Sequence, residues 1–324
     1  MKYYIAFDGG GSKIEGILFD ENLKFINRVR TGSMNVSFSS KELLYKNANE
    51  AIDKLIEGTG ITEIECVYGV FSWLMRDVML EKKNIKFNKL DDRGGEGLVG
   101  LLAAFASENS VISLSGTGSV IFYMDKDGNG YEAGGYGSVI HDEGSGYHMA
   151  RMAVAEAVKY YECRGPHTLI VDEMCEYLGA EDMGEAIGKI YDFKDKSPTA
   201  ALASCAPCVG RAARRGDEIA KELLRRSGTV MAEQTLGLIH RRNVPMDVPI
   251  VLEGGHWKND MLMVNTFKEL IHADQPEREI IVPYFEPVVG AVLAMPHFTG
   301  RKLTDEDIEF LKEEYKDYRY VINE

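Results

Sequence analysis

The chain has 324 residues, 45% hydrophobic and 27% charged, with a formal net charge of −14. That length points to two domains with a large buried core rather than one. The acidity leaves no basic face for nucleic acid or an anionic membrane, and no apolar run approaches bilayer-spanning length.

The start of the chain enters a strand directly, without the basic stretch and apolar core of a targeting segment. Five cysteines, an odd number, fit a reducing cytoplasm better than a disulfide framework. Cys205-Ala-Pro-Cys208 is a single pair without a nearby His, so these are expected to be buried free thiols.

Apolar runs predict three strands at 3–8, 14–20 and 24–30, then a helix over 41–57 capped by Ser39 or Ser40 and ended by Gly58. A buried strand at 65–72, a short strand at 85–90 and a helix over 96–105 follow. A second set of three strands is expected at 111–114, 119–124 and 130–133. Helices are then predicted over 143–161, 167–178, 181–191 and 217–242. The remainder reads as a strand at 248–252, a helix over 259–272, a strand at 279–282 and an inner helix at 289–294. A polar helix over 304–315, capped by Thr304, closes the series. No low-complexity linker separates the halves, so the expected boundary near residue 110 is a hinge rather than a tether.

Two glycine turns stand in the same strand context. Phe7-Asp8-Gly9-Gly10-Gly11-Ser12-Lys13 lies between the first two strands, and Leu114-Ser115-Gly116-Thr117-Gly118-Ser119 lies between their counterparts. Glycine lets backbone N–H groups approach an anion, while Ser, Thr and Lys add donors and charge. Either turn alone is an ordinary hairpin tip. Their repetition points to a duplicated lobe that holds nucleotide phosphates. Asp8 ends a strand at the first turn, where a carboxylate suits Mg²⁺ beside phosphate, although Asp also simply starts turns.

The densest glycine segment is Gly134-Gly135-Tyr136-Gly137-Ser138-Val139-Ile140-His141-Asp142-Glu143-Gly144-Ser145-Gly146-Tyr147. Its two acids suit a helix mouth, yet five glycines exceed what a cap requires and point to close approach of a ligand. Gly254-Gly255 after the 248–252 strand is a turn at which backbone can meet a flat ring. His256 and Trp257 border that turn, as base-pocket walls or as core residues.

In this order, the motifs resemble the BadF/BadG/BcrA/BcrD ATPase family, part of the actin–hexokinase–Hsp70 superfamily that includes N-acetylglucosamine kinase. The resemblance runs from residue 1 to about 295 and includes Pro287-Val288-Val289-Gly290-Ala291. It implies an α/β fold of two ribonuclease-H-like lobes with an ATP cleft between them. The expected divisions are 1–109, 110–296 with a helical insert, and a C-terminal piece at 297–324 of uncertain lobe.

The resemblance also implies the site. Gly10, Gly11, Ser12, Lys13, Ser115, Gly116, Thr117 and Gly118 would hold phosphates, Asp8 would hold Mg²⁺, and Gly254 and Gly255 would lie at the adenosine. Asn35 and Asp142 match the family's sugar-binding positions, with His141 where a Gly is usual. Phe71-Ser72-Trp73-Leu74-Met75 replaces a small-residue segment and either lines a different pocket or packs as core. The family's catalytic Asp falls on Glu96 when counted back from Ser115, with Asp91 and Asp92 upstream as alternatives. The implied activity is ATP-dependent phosphorylation of a sugar hydroxyl, most naturally an aminosugar, by a cytoplasmic protein that is plausible as a homodimer. Two other readings are an ATPase activator of the same family and a nucleotide-dependent sensor without turnover. Cys163 and Cys205 do not stand in the cysteine contexts that the activators need.

Overall fold

The chain builds one sheet topology twice. The computed structural model describes residues 1–10, 13–32, 40–140, 142–192 and 198–324. Its first elements are β1 (Tyr3–Gly9), β2 (Lys13–Asp20), β3 (Phe25–Gly32), α1 (Lys41–Ile56), β4 (Glu63–Ile64), β5 (Cys66–Val70), α2 (Trp73–Glu81), β6 (Lys86–Phe87), β7 (Leu90–Asp91) and α3 (Gly95–Ala103). Next come β8 (Val111–Ser115), β9 (Ser119–Met124), β10 (Gly130–Gly134), α4 (Gly146–Tyr161), α5 (Ile170–Leu178), α6 (Met183–Ile190), α7 (Pro198–Ala203), α8 (Ala206–Arg214) and α9 (Glu218–Arg242). The last are β11 (Ile250–Glu253), α10 (Met261–Asp274), β12 (Ile280–Ile281), α11 (Pro287–Thr299) and α12 (Asp305–Glu314).

One sheet has the order β3-β2-β1-β5-β7 and the other β10-β9-β8-β11-β12. In each, the first three strands are antiparallel and the last two join in parallel. This is the duplication that the paired turns predicted, in the ribonuclease-H-like arrangement that the family resemblance implied. The chain divides into two compact units, Met1–Glu108 with Pro283–Tyr320, and Asn109–Val282 with Val321–Glu324.

In the first unit, strand alternation sends apolar side chains to both faces of the sheet. Ile5, Phe7, Ile14, Leu18 and Val67 pack with α1 and α2 residues, including Leu44, Ile52, Leu74 and Val78. Tyr4, Ala6, Ile17, Phe19 and Tyr68 face Val99 of α3 and Val288, Val289 and Val292 of α11. Segment 283–296 therefore lies in the first unit rather than in the expected 110–296 lobe. The contact explains why. At Gly290 an added Cβ would lie 1.9 Å from the Val99 carbonyl oxygen, so α11 meets α3 backbone to backbone. The 304–315 piece belongs to the same unit: Thr304 closes a capping box, and the Tyr315 hydroxyl donates to the Leu23 carbonyl at 2.9 Å.

Several element boundaries move for local reasons. β5 stops at Val70, and Ser72 caps a helix that the sequence reading did not foresee, accepting from the Met75 N–H at 3.3 Å. The expected strand at 85–90 is two short strands, β6 and β7. α4 begins at Gly146 rather than at 143, because Asp142 and Gly144 have positive φ of 59° and 80° and Ser145 is the cap. α7 and α8 are additional, and Cys205 and Cys208 are buried at the start of α8 as expected. Among the described residues, no helix is long and apolar enough to cross a membrane.

Candidate active site

In the first unit, Asp8 is the penultimate residue of β1, paired in register with Glu15 of β2 and Val70 of β5. Its side chain is half-buried. Burial pushes its carboxyl up to about 7, and the charge of Glu96 pushes in the same direction, with smaller contributions from Glu15 and Glu286. Lys13 is the one cation acting against them among these groups, and its ammonium pairs with Glu15. Gly10 closes the turn by donating its N–H to the Lys13 carbonyl at 2.9 Å. Gly11, Ser12, Asn35 and His141 lie outside the described residues.

Glu96 sits in the first turn of α3. Water reaches its side chain, yet the surrounding protein desolvates the carboxyl and holds its pKa above the ordinary glutamate value. A base raised in this way takes a proton more readily. The two upstream acids are committed elsewhere. Asp91 is buried and accepts from Arg93 and Lys89, which hold it far below the usual range. Asp92 pairs with Arg76 at 3.1 Å.

No group of three metal-ligating side chains is assembled among the described residues. Asp8 offers a hard oxygen donor of the kind Mg²⁺ takes, and its carboxyl is raised by burial first and by the Glu96 charge second.

In the second unit, three segments form one scaffold. Ser115 donates its hydroxyl to the Gly144 carbonyl at 2.7 Å, and Ser119 donates to the Glu143 carbonyl at 2.7 Å. The Gly146 N–H donates to the Gly116 carbonyl at 2.8 Å, and the His256 N–H donates to that of Ser115 at 2.9 Å. A Cβ on Gly118 would lie 3.1 Å from an Asp142 carboxylate oxygen, so Asp142 is placed directly against the glycine turn. Gly254 has φ of 100°, and a Cβ there would meet the Ser115 carbonyl at 2.3 Å. A Cβ on Gly255 would meet nothing within 4 Å, which leaves room for a ligand. His256 and Trp257 are core residues. The Trp257 indole N–H donates to the Ser113 carbonyl at 2.9 Å, and burial pushes the His256 imidazole down to about 3.

The sequence pattern of the BadF/BadG/BcrA/BcrD ATPase family matches residues 7–294. The chain belongs to that family.

An N-acetylmuramic acid/N-acetylglucosamine kinase from Clostridium acetobutylicum is 25% identical over 302 residues, covering 90% of this chain and 98% of the relative. An N-acetyl-D-glucosamine kinase from Dictyostelium discoideum is 23% identical over 308 residues, covering 90% and 96%. A solved structure from Chromobacterium violaceum, an N-acetylglucosamine kinase candidate, superposes with a TM-score of 0.64 at 19% identity, covering 90% of this chain and 98% of that one. The structural likeness establishes the fold.

For this family member, sequence reasoning named the turns and Asp142 but missed the residues that join them. Ser115 reads from sequence as a phosphate donor, whereas it is fully buried and its hydroxyl donates to Gly144. Glu15 and Glu286, which add to the rise at Asp8, carried no motif signal because one lies in a strand and the other immediately precedes α11.

Proposed function

We propose that this protein is an ATP-dependent kinase that phosphorylates a hydroxyl of an aminosugar such as N-acetylglucosamine or glucosamine. The observation that carries the reading is the second-unit scaffold, in which Asp142 lies against the Gly116–Ser119 turn, in a chain with aminosugar-kinase relatives over nine-tenths of its length.

The glycine turns at Gly10–Lys13 and Gly116–Gly118 receive the phosphates of ATP. Gly255 leaves space for the adenosine. Asn35 and Asp142 accept hydrogen bonds from sugar hydroxyls and fix the orientation of the nucleophile. Glu96 accepts the hydroxyl proton as the sugar oxygen bonds to the γ-phosphorus, while the bond to the β-phosphate oxygen breaks and ADP leaves. Asp8 would hold Mg²⁺, which would supply charge neutralisation on the phosphate oxygens. The reading includes cytoplasmic location and a homodimer.

The test is ADP release from purified protein with Mg·ATP and a panel of hexoses and amino-hexoses. Release that requires N-acetylglucosamine or glucosamine supports the reading. Equal release without sugar favours the activator reading. Thermal stabilisation by ATP or sugar without turnover favours a sensor.

A further inference from the structure

The Asp142 turn is held by side chains that come from two directions. From β9, Ser119 donates its hydroxyl to the Glu143 carbonyl at 2.7 Å; from α9, Gln234 donates its amide N–H to the same carbonyl at 3.0 Å. Ser115 adds the adjoining Gly144 carbonyl at 2.7 Å. Ser119 is 3% exposed and Ser115 is 0% exposed, so neither hydroxyl is available to a ligand. Two further backbone bonds run the same way, from Gly146 N–H to Gly116 at 2.8 Å and from Tyr147 N–H to Thr117 at 3.2 Å. The phosphate turn and the sugar turn are thus stitched along their length, and Gly118 leaves only van der Waals space for the Asp142 carboxylate.

We propose that Ser119 is a positioning residue that couples nucleotide binding to sugar binding, by tying the Asp142 turn to the turn that receives phosphate. The inference rests on the aminosugar-kinase reading and deepens it. The Gly116 N–H already donates to the Gly118 carbonyl at 2.8 Å, and a ligand that orders the turn further carries an ordering cost. Once phosphate fixes Gly116–Gly118, the Ser119 hydroxyl holds Glu143 and Asp142 in place, and the sugar no longer bears that cost. The coupling is reciprocal: sugar tightens nucleotide by the same factor. Gln234 supports the same carbonyl from a helix that makes no part of the phosphate turn. Its role is to steady the sugar turn whether or not nucleotide is present.

The experiment is calorimetric titration of N-acetylglucosamine into the full chain, with and without saturating Mg·AMPPNP. In the parent, nucleotide tightens sugar binding about three- to tenfold, the size that one net hydrogen bond supplies. In Ser119→Ala that ratio falls at least twofold while the Ser115, Gly146 and Tyr147 bonds remain, and Ser119→Thr, which keeps the hydroxyl, retains it. In Gln234→Ala sugar binds more weakly in both titrations and the ratio stays parental. A parental ratio in Ser119→Ala, or a parent ratio of one, overturns the proposal. Failure of the aminosugar reading looks different, since the parent then gives no heat with N-acetylglucosamine and no sugar-dependent ADP release, and the coupling falls with it. Should Ser119→Ala not fold, hydrogen exchange on the parent decides: amides 142–147 gain protection when Mg·AMPPNP is added without sugar, and no gain overturns the coupling.

Discussion

Burial, helped by the charges of Glu96, Glu15 and Glu286 and opposed by Lys13, pushes the Asp8 carboxyl up to about 7. A native carboxyl that binds its proton more tightly than the unfolded one makes stability fall as pH rises from about 4 to about 7. Asp8→Asn removes this loss. In Mg²⁺-free buffer it should be more stable than the parent at pH 8, by roughly 1–4 kcal/mol in denaturant melts. The difference should shrink towards zero as pH approaches 4. Glu96→Gln tests the base at the same scale: kcat should fall about 10²- to 10⁴-fold while nucleotide affinity stays within about twofold. Undiminished kcat would pass the base role to another acid. The expectation for Glu96 came from the family resemblance, counted back from Ser115, and the Glu96→Gln measurement decides it. Ser119 was not legible, because its partner Glu143 is remote in sequence and a serine in a glycine turn looks like a phosphate donor.

Helix α3 carries Glu96, and what fixes α3 is its contact with α11. Gly290 faces the Val99 carbonyl, one turn beyond Glu96, at a distance that excludes any side chain. Gly290→Ala should lower stability by about 2–4 kcal/mol and reduce kcat by displacing Glu96, measured by thermal melts and by steady-state ADP release. Gly237→Ala is the matched control. It lies exposed in α9 with nothing within 4 Å of a Cβ, and it should stabilise by about 0.5–1 kcal/mol. At this scale the sequence was read well where periodicity was long, as in α1 and α9, and poorly where a single cap decides. Helix α2 went unseen because Phe71–Met75 continues the apolar run of β5, and only the Ser72 hydroxyl separates strand from helix.

The doubled sheet was legible because each copy announces itself with the same turn between the same strands. The return of the chain was not. Residues Val288–Pro296 of α11 are all buried, so the segment reads as an inner helix without any polar face to say which sheet it covers. The first unit is consequently made of two separated pieces, 1–108 and 283–320. Fragment 1–108 expressed alone should lack a cooperative melt, because Tyr4, Phe19 and Tyr68 lose the α11 face that covers them. Joined to 283–320 by a flexible linker, it should regain one, as followed by circular dichroism.

A ribosome delivers these pieces far apart in time. The strands β1 to β3 leave the exit tunnel early, yet the helix that seals Tyr4 and Phe19 is threaded out only after the whole of residues 109–282. The nascent 1–108 piece must therefore wait with an apolar sheet face bare to solvent, a natural client for holding chaperones and a natural target for proteases until residues 283–320 emerge.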